Sequence, residues 1–315
     1  FEAVLSTSSE QIAITSGYLQ NVWQENGRNY FHYKMDIPIK FVLGFNSGEF
    51  EVIKENYKGV DLRIYNHPTH NYCLNQMMEG LKASLDYNTK YFGAYQHREA
   101  RIIEFPRSLG SYATTAGNCI QMSEMRFIND TNSLKNGGID LSFYVAAHEL
   151  THQWWGNQVI PADVLGATMI TESITEYLTA KIYEKKYGKK SALKFLKIQR
   201  DRYLTGRADE TEQEVPLYLV NPEQSFISYG KGAIAFYILS EYIGEEILNG
   251  ILNEYLNKVK FQSPPYTTSL ELIAHLKKST PTNLHYLITD MFETTNPEKT
   301  LSHFNNLLSK NTPTR

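Results

Sequence analysis

Polar and apolar residues alternate through the first part of the chain, in Gln11-Ile12-Ala13-Ile14, in Phe31-His32-Tyr33-Lys34-Met35 and in Val60-Asp61-Leu62-Arg63-Ile64. A period of two places successive side chains on opposite faces of an extended strand, so Phe1 to about Tyr65 is expected to form an antiparallel β segment. Asn66-His67-Pro68 breaks that pattern, and the period then lengthens: Leu74, Met77, Met78, Leu81 and Leu85 share one side of a helix expected over Tyr72 to Tyr91. A strand pair is expected between Ala100 and Phe127, with Arg101-Ile102-Ile103-Glu104-Phe105 its clearest member. Helical spacing returns at Leu141, Tyr144, Val145 and Leu150, after Asp140 as N-cap and before the stop signal Gly156-Asn157. A second such helix carries Ile170, Ile174, Tyr177, Leu178 and Ile182 and ends at Gly188. Beyond it, helices are expected at about 190–203, 231–243, 245–260 and 268–278, with a polar, acidic loop at Ala208 to Glu214. Strands first and helices afterwards make an α+β chain, with a domain boundary near residue 67 and no internal repeat.

The chain of 315 residues exceeds one compact core, and its 42% apolar content suffices for two. A net charge of −3 gives no footprint for nucleic acid, and no apolar run approaches the roughly 20 residues of a membrane span. The start at Phe1, inside a strand pattern and without initiator methionine or signal peptide, suggests a soluble piece of a larger protein. Cys73 and Cys119 match no ligand spacing and read as small buried hydrophobes. The basic stretch Lys181 to Arg202 reads as solvated helix faces, His67 and His70 as surface or capping residues, and Asn129-Asp130-Thr131 as a bare sequon.

Candidate chemistry centres on His148-Glu149-Leu150-Thr151-His152. Two histidines four apart on a helix lie on one face and can grip one metal ion, and neutral imidazoles suit zinc. Glu149, one residue after the first, faces the remaining coordination position and is the natural proton acceptor for a water there. Glu172, in the first turn of the next helix, is available as third ligand, which makes the set that of a catalytic site. Glu176, one turn later, is a candidate partner for the outer ring N–H of a ligand histidine.

With these residues in view, the chain resembles the zinc aminopeptidases of the aminopeptidase N family, gluzincins that include the bifunctional leukotriene hydrolase. His148 to Asn157 looks like that family's metal helix, Met169-Ile170-Thr171-Glu172-Ser173 like its third-ligand segment, and Ser228-Tyr229-Gly230-Lys231-Gly232 like its catalytic tyrosine signature. The resemblance runs from about Gln11 to Glu293. It implies the end of an N-terminal β domain over 1–66 and a thermolysin-like, mainly helical catalytic domain over 67–315. It also implies one zinc ion, a peptide substrate, and Tyr229 as stabiliser of the developing oxyanion.

Two departures stand out. Nineteen residues separate His152 from Glu172 where the family usually has one fewer, and a loop insertion within Val159 to Ala167 would absorb the extra one. Thr114, in Ser111-Tyr112-Ala113-Thr114-Thr115-Ala116-Gly117, stands where the family has a glutamate for the substrate's α-amino group. Ala113 and Thr114 are then the expected substrate-binding positions, without a charge-assisted contact to an ammonium. Glu124 could take that role, though a structural one is favoured for it. The β segment, peptidase domain and altered strand together look most like peptidase-like domains fused to bacterial ABC transporter permeases, which would make the parent protein membrane-bound. The competing class is a peptide-binding domain of such a transporter that does not hydrolyse.

Overall fold

The alternating segments do form strands. In the computed structural model, which describes residues 1–128, 136–209 and 213–310, β1 (Glu2–Ser8), β4 (Arg28–Lys34) and β3 (Tyr18–Glu25) make an antiparallel sheet in the order β1-β4-β3. Short β2 (Ile12–Ile14) and β5 (Asn46–Gly48) pair beside it. The hairpin of β6 (Glu51–Tyr57) and β7 (Val60–Asn66) belongs to a different, five-stranded sheet with β8 (Glu99–Phe105), β9 (Ala113–Ala116) and β10 (Cys119–Ser123), ordered β6-β7-β8-β10-β9. Both β7–β8 and β8–β10 are parallel. Between β7 and β8 the chain runs through α1 (Leu74–Phe92), since parallel neighbours need a long crossover and cannot be joined by a hairpin. The expected strand pair is thus three strands, β9 and β10 forming a hairpin at the sheet edge.

The chain divides into two compact units. The first takes in Phe1–Asp86 and Tyr95–Gln153, and the second Tyr87–Ala94 and Trp154–Arg315. In the first, Arg101 is fully buried: it donates to Glu99 at 2.7 and 3.0 Å and to the main-chain oxygens of Thr15 and Gly17, tying the segment after β2 to β8. The metal-motif helix α2 (Leu141–Thr151) is capped by Asp140, whose Oδ1 accepts Phe143 N–H at 2.9 Å. It packs on α1 so closely that a side chain at Gly80 would meet the Phe143 main-chain oxygen at 2.5 Å. Cys73 and Cys119 are buried thiols, as expected.

The second unit is helical: α3 (Ile174–Tyr187), α4 (Lys189–Asp209), α5 (Gly232–Ile243), α6 (Glu245–Val259), α7 (Ser269–Ser279), α8 (His285–Ile288) and α9 (Pro297–Lys310). α5 is apolar and buried nearly throughout. Lys181 departs from the solvated reading of its stretch: it is 2% exposed, with its ammonium 3.0 Å from Glu241 and 3.1 Å from Glu184. A buried lysine is tolerable only when paired in this way. The sequon lies outside the described residues, as do positions 210–212 of the acidic loop.

Candidate functional site

Helical geometry continues one residue past α2, with His152 N–H bonded to the His148 carbonyl, so the two histidines do stand one turn apart on one face. Their Nε2 atoms are 3.1 Å apart. A tetrahedral zinc ion with bonds of about 2.1 Å needs ligand atoms about 3.4 Å from one another, so the pair is spaced for one ion. Glu149, between them in sequence, is 6% exposed. Its Oε2 accepts a hydrogen bond of 2.9 Å from the hydroxyl of Thr115 in β9, which also reaches the Glu149 main-chain oxygen at 2.8 Å.

The same end of α2 is pinned from other sides. Thr151 lies 3.0 Å from the Ser84 hydroxyl of α1, and Gln153 donates to the Gly117 carbonyl at 2.7 Å, in the turn between β9 and β10. Thr115 is not among the residues expected from the sequence, where its neighbour Thr114 holds the substrate-binding position. Alternation along β9 turns Thr114 to the opposite face, in register with Gln121 of β10. The signal that could have pointed to Thr115 is the hydroxyl next to the motif's expected substrate position.

Glu172 lies on a π-helical turn, Met169–Ser173, that leads into α3. Tyr229 lies on another, Phe226–Lys231, that leads into α5. π turns occur mostly as single-turn bulges, frequently at functional sites. Here the two are joined: the Ser173 hydroxyl donates to the Ser228 carbonyl at 2.6 Å, so the neighbours of Glu172 and Tyr229 in sequence are bonded to each other. A side chain at Gly232 would come within 2.1 Å of Ser173 Oγ, so glycine leaves room for this contact. Tyr229 is half-buried, with the Arg202 guanidinium 4.4 Å from its ring centre. Lys231 is buried and pairs with Glu214 at 3.0 Å; burial and nearby Arg207 push its pKa down to about 7 despite that carboxylate. Glu176 is fully buried in α3, where Gln199 donates to its Oε2 at 3.0 Å.

His148 and His152 belong to the first unit and Glu172 to the second. Two imidazoles and a carboxylate are a donor set that could hold a divalent transition metal.

Comparison with known proteins agrees with this picture. The peptidase family M1 domain matches residues 74–292. The chain is 27% identical over 231 residues to probable aminopeptidase 1 of Sulfurisphaera tokodaii, covering 71% of this chain and 29% of that protein. With aminopeptidase N of Bos taurus it is 31% identical over 179 residues, 53% of this chain and 18% of that one. The M1 zinc metallopeptidase of Deinococcus radiodurans shares the fold, with a TM-score of 0.69 at 17% identity, over 93% of this chain and 63% of that one. The chain thus spans under a third of the length of these curated relatives. Because the family match reaches from the start of α1 into the turn after α8, well over half of the sequence, the chain belongs to peptidase family M1.

Proposed function

We propose that this chain is the catalytic part of a zinc-dependent peptidase of aminopeptidase type, with one zinc ion held by His148, His152 and Glu172. The motif helix carries the reading: two imidazoles with Nε2 atoms 3.1 Å apart are spaced for one ion, and with a carboxylate they make the donor set of a catalytic rather than a structural site. When bound, zinc supplies a Lewis acid that polarises the scissile carbonyl and makes water nucleophilic near neutral pH.

The chain's own residues do the rest. Glu149, held by Thr115, takes the proton of the attacking water and passes it to the leaving amine. The Tyr229 hydroxyl donates to the carbonyl oxygen as negative charge gathers there. Glu176 supplies the carboxylate that fixes a ligand histidine in its metal-binding tautomer. The substrate peptide lies extended along β9, the outer strand of its sheet, where main-chain groups at Ala113 and Thr114 pair with it. The neutral Thr114 side chain binds a free amino terminus with less discrimination than a carboxylate would.

The parent protein, in this reading, is a bacterial membrane protein, a transporter permease carrying the peptidase-like domain; no helix among the described residues is long and apolar enough to cross a membrane. Thr114 also favours a second reading, a domain that binds peptides for the transporter without cutting them. An intact Glu149 on a motif helix argues for hydrolysis.

The deciding experiment pairs a peptide with a free amino terminus and its acetylated counterpart, using zinc-loaded protein and its Glu149→Gln variant. The free peptide should be cleaved faster than the acetylated one, and Glu149→Gln should abolish both activities while zinc stays bound. Zinc-loaded wild type that binds the peptides and cuts neither would overturn hydrolysis in favour of the second reading.

A further inference from the structure

The turn that breaks the first β segment carries more than a cap. His67 does cap it, with Nδ1 2.8 Å from the Thr69 hydroxyl, but His70 turns inward onto Glu104 of β8, its Nδ1 in a short hydrogen bond with Glu104 Oε1. Glu104 is 6% exposed; its other oxygen accepts the His67 N–H at 2.7 Å. Glu124, which opens the short 3-10 turn Glu124–Arg126 after β10, completes a group: one ligand atom from each of His70, Glu104 and Glu124 lies within 4.8 Å of the others. All three belong to the first unit and share no residue with the histidine motif.

Charge is what makes this cluster unusual. A buried carboxylate normally has a lysine or arginine partner, yet among the described residues the only charged or chargeable partner of Glu104 is the His70 ring. Glu124 is bridged to Arg107 at 3.1 Å, but Arg107 is 65% exposed, and a solvated pair of this kind is worth little and easily exchanged. The three side chains open on a cavity of about 310 Å³ that Phe45, Asn46 and Phe50 also line. Asn46 Oδ1 is buried there without a hydrogen-bond partner in the structure, a further oxygen donor, direct or through a water.

We propose that His70, Glu104 and Glu124 form a second metal site, for a zinc-like divalent transition-metal ion with water from the cavity completing its coordination. One imidazole and two carboxylates suit such an ion better than magnesium or calcium, which take oxygen ligands. The bound ion ties the turn after β7 to the end of β8 and the start of the segment after β10. Three stretches far apart in sequence are thereby clamped at one end of the sheet whose outer strand carries Thr114 and Thr115.

The test uses Zn²⁺ alone as probe, with metal content after dialysis and thermal melting as readouts. A His148→Ala/His152→Ala variant isolates the second site. It should bind one equivalent of Zn²⁺ and melt higher with the ion than without it, and adding Glu104→Gln or His70→Gln should remove both effects. Glu104→Gln keeps an acceptor for the His67 N–H, and His70→Gln gives a second measurement should that variant fold poorly. In the otherwise wild-type chain, each single variant should lower the content from two equivalents to one and leave peptide hydrolysis in place. The proposal fails if the His148/His152 variant binds no Zn²⁺, or if its binding survives both changes. A wild type holding one equivalent that disappears with His148 and His152 overturns this site alone. One that disappears with His70 overturns the zinc assignment of the peptidase reading instead.

Discussion

Thr115→Val probes the proposed base with little disturbance, because valine keeps the branched shape of threonine and removes only the hydroxyl. That hydroxyl has one proton and two acceptors, Glu149 Oε2 at 2.9 Å and the Glu149 main-chain oxygen at 2.8 Å. A hydrogen bond to a charged group contributes about 1.5–3 kcal/mol, and a shared one falls at the low end, about 1.5 kcal/mol. A general base must stay within hydrogen-bond reach of the proton it removes, so the lost tether is felt in the transition state, where about 1.4 kcal/mol is tenfold in rate. The expected result is a kcat about tenfold lower, with KM little changed because Thr115 holds the base and not the peptide. Zinc content should stay at the wild-type value, since no metal ligand is touched. Steady-state hydrolysis of a peptide with a free amino terminus, with metal analysis on the same preparations, measures all three. Thr115→Ser restores the donor and should recover most of the rate. Turnover of the valine variant within twofold of wild type would refute the tether, and a serine variant as slow as the valine one would assign the loss to packing.

Other perturbations separate the remaining parts. Tyr229→Phe keeps the ring under Arg202 and removes the hydroxyl, so kcat should fall by about 10² to 10³ with zinc retained; an unchanged kcat would remove Tyr229 from the chemistry. Gly232→Ala drives a methyl group into Ser173 and should cost about 1–3 kcal/mol in a urea titration, with loss of activity as the two π turns shift; wild-type stability would show that the contact yields. His97 is 5% exposed, and burial holds its pKa down at about 4, against about 6.5 in the unfolded chain. The unfolded chain therefore takes up the proton first as the pH falls, and stability should drop between about pH 6.5 and pH 4, by at most about 3 kcal/mol, then level off. Urea titrations of wild type and His97→Gln at pH 7 and pH 4.5 check this, and equal losses in both proteins would assign the drop to other groups.

Much of the fold was legible because local pattern and burial agree. The helix expected over 72–91 is Leu74–Phe92, and the Asp140 cap and the Gly188 stop are where the sequence puts them. Strand partners were harder, since alternation records which face a residue uses and says nothing about its neighbour strand. Hence β6 and β7 read as part of one antiparallel segment, whereas β7 pairs in parallel with β8 across α1. The C-terminal helix Pro297–Lys310 went unnoticed despite usable signals: proline at its first position, and buried Thr300, Phe304 and Leu307 at spacings of four and three. Lys181 is misleading because composition counts charges without showing which face they occupy, and two of the three carboxylates that accept its charge, Glu241 and Glu245, lie about 60 residues away in sequence.

At the candidate site the motif residues were legible and their setting was not. His148, Glu149 and His152 follow from one helical turn, which any α-helix supplies. Glu172 and Tyr229 sit on π turns, whose wider spacing breaks the 3.6-residue period and leaves no mark in a hydrophobic pattern. The sequence does carry what makes those turns fit together: Ser173 follows Glu172, Ser228 precedes Tyr229, and Gly232 leaves room for the contact between them. These small residues read as incidental until the bond from the Ser173 hydroxyl to the Ser228 carbonyl is seen. Glu172 and Tyr229 are each one residue from this buried hydrogen bond, so a change at either serine or at Gly232 should reach both without touching either. Thr115 has the same character, a residue beside the expected position that acts by holding Glu149. In this chain the motifs name the candidate groups, and residues beside the expected positions make the contacts that hold the segments carrying them.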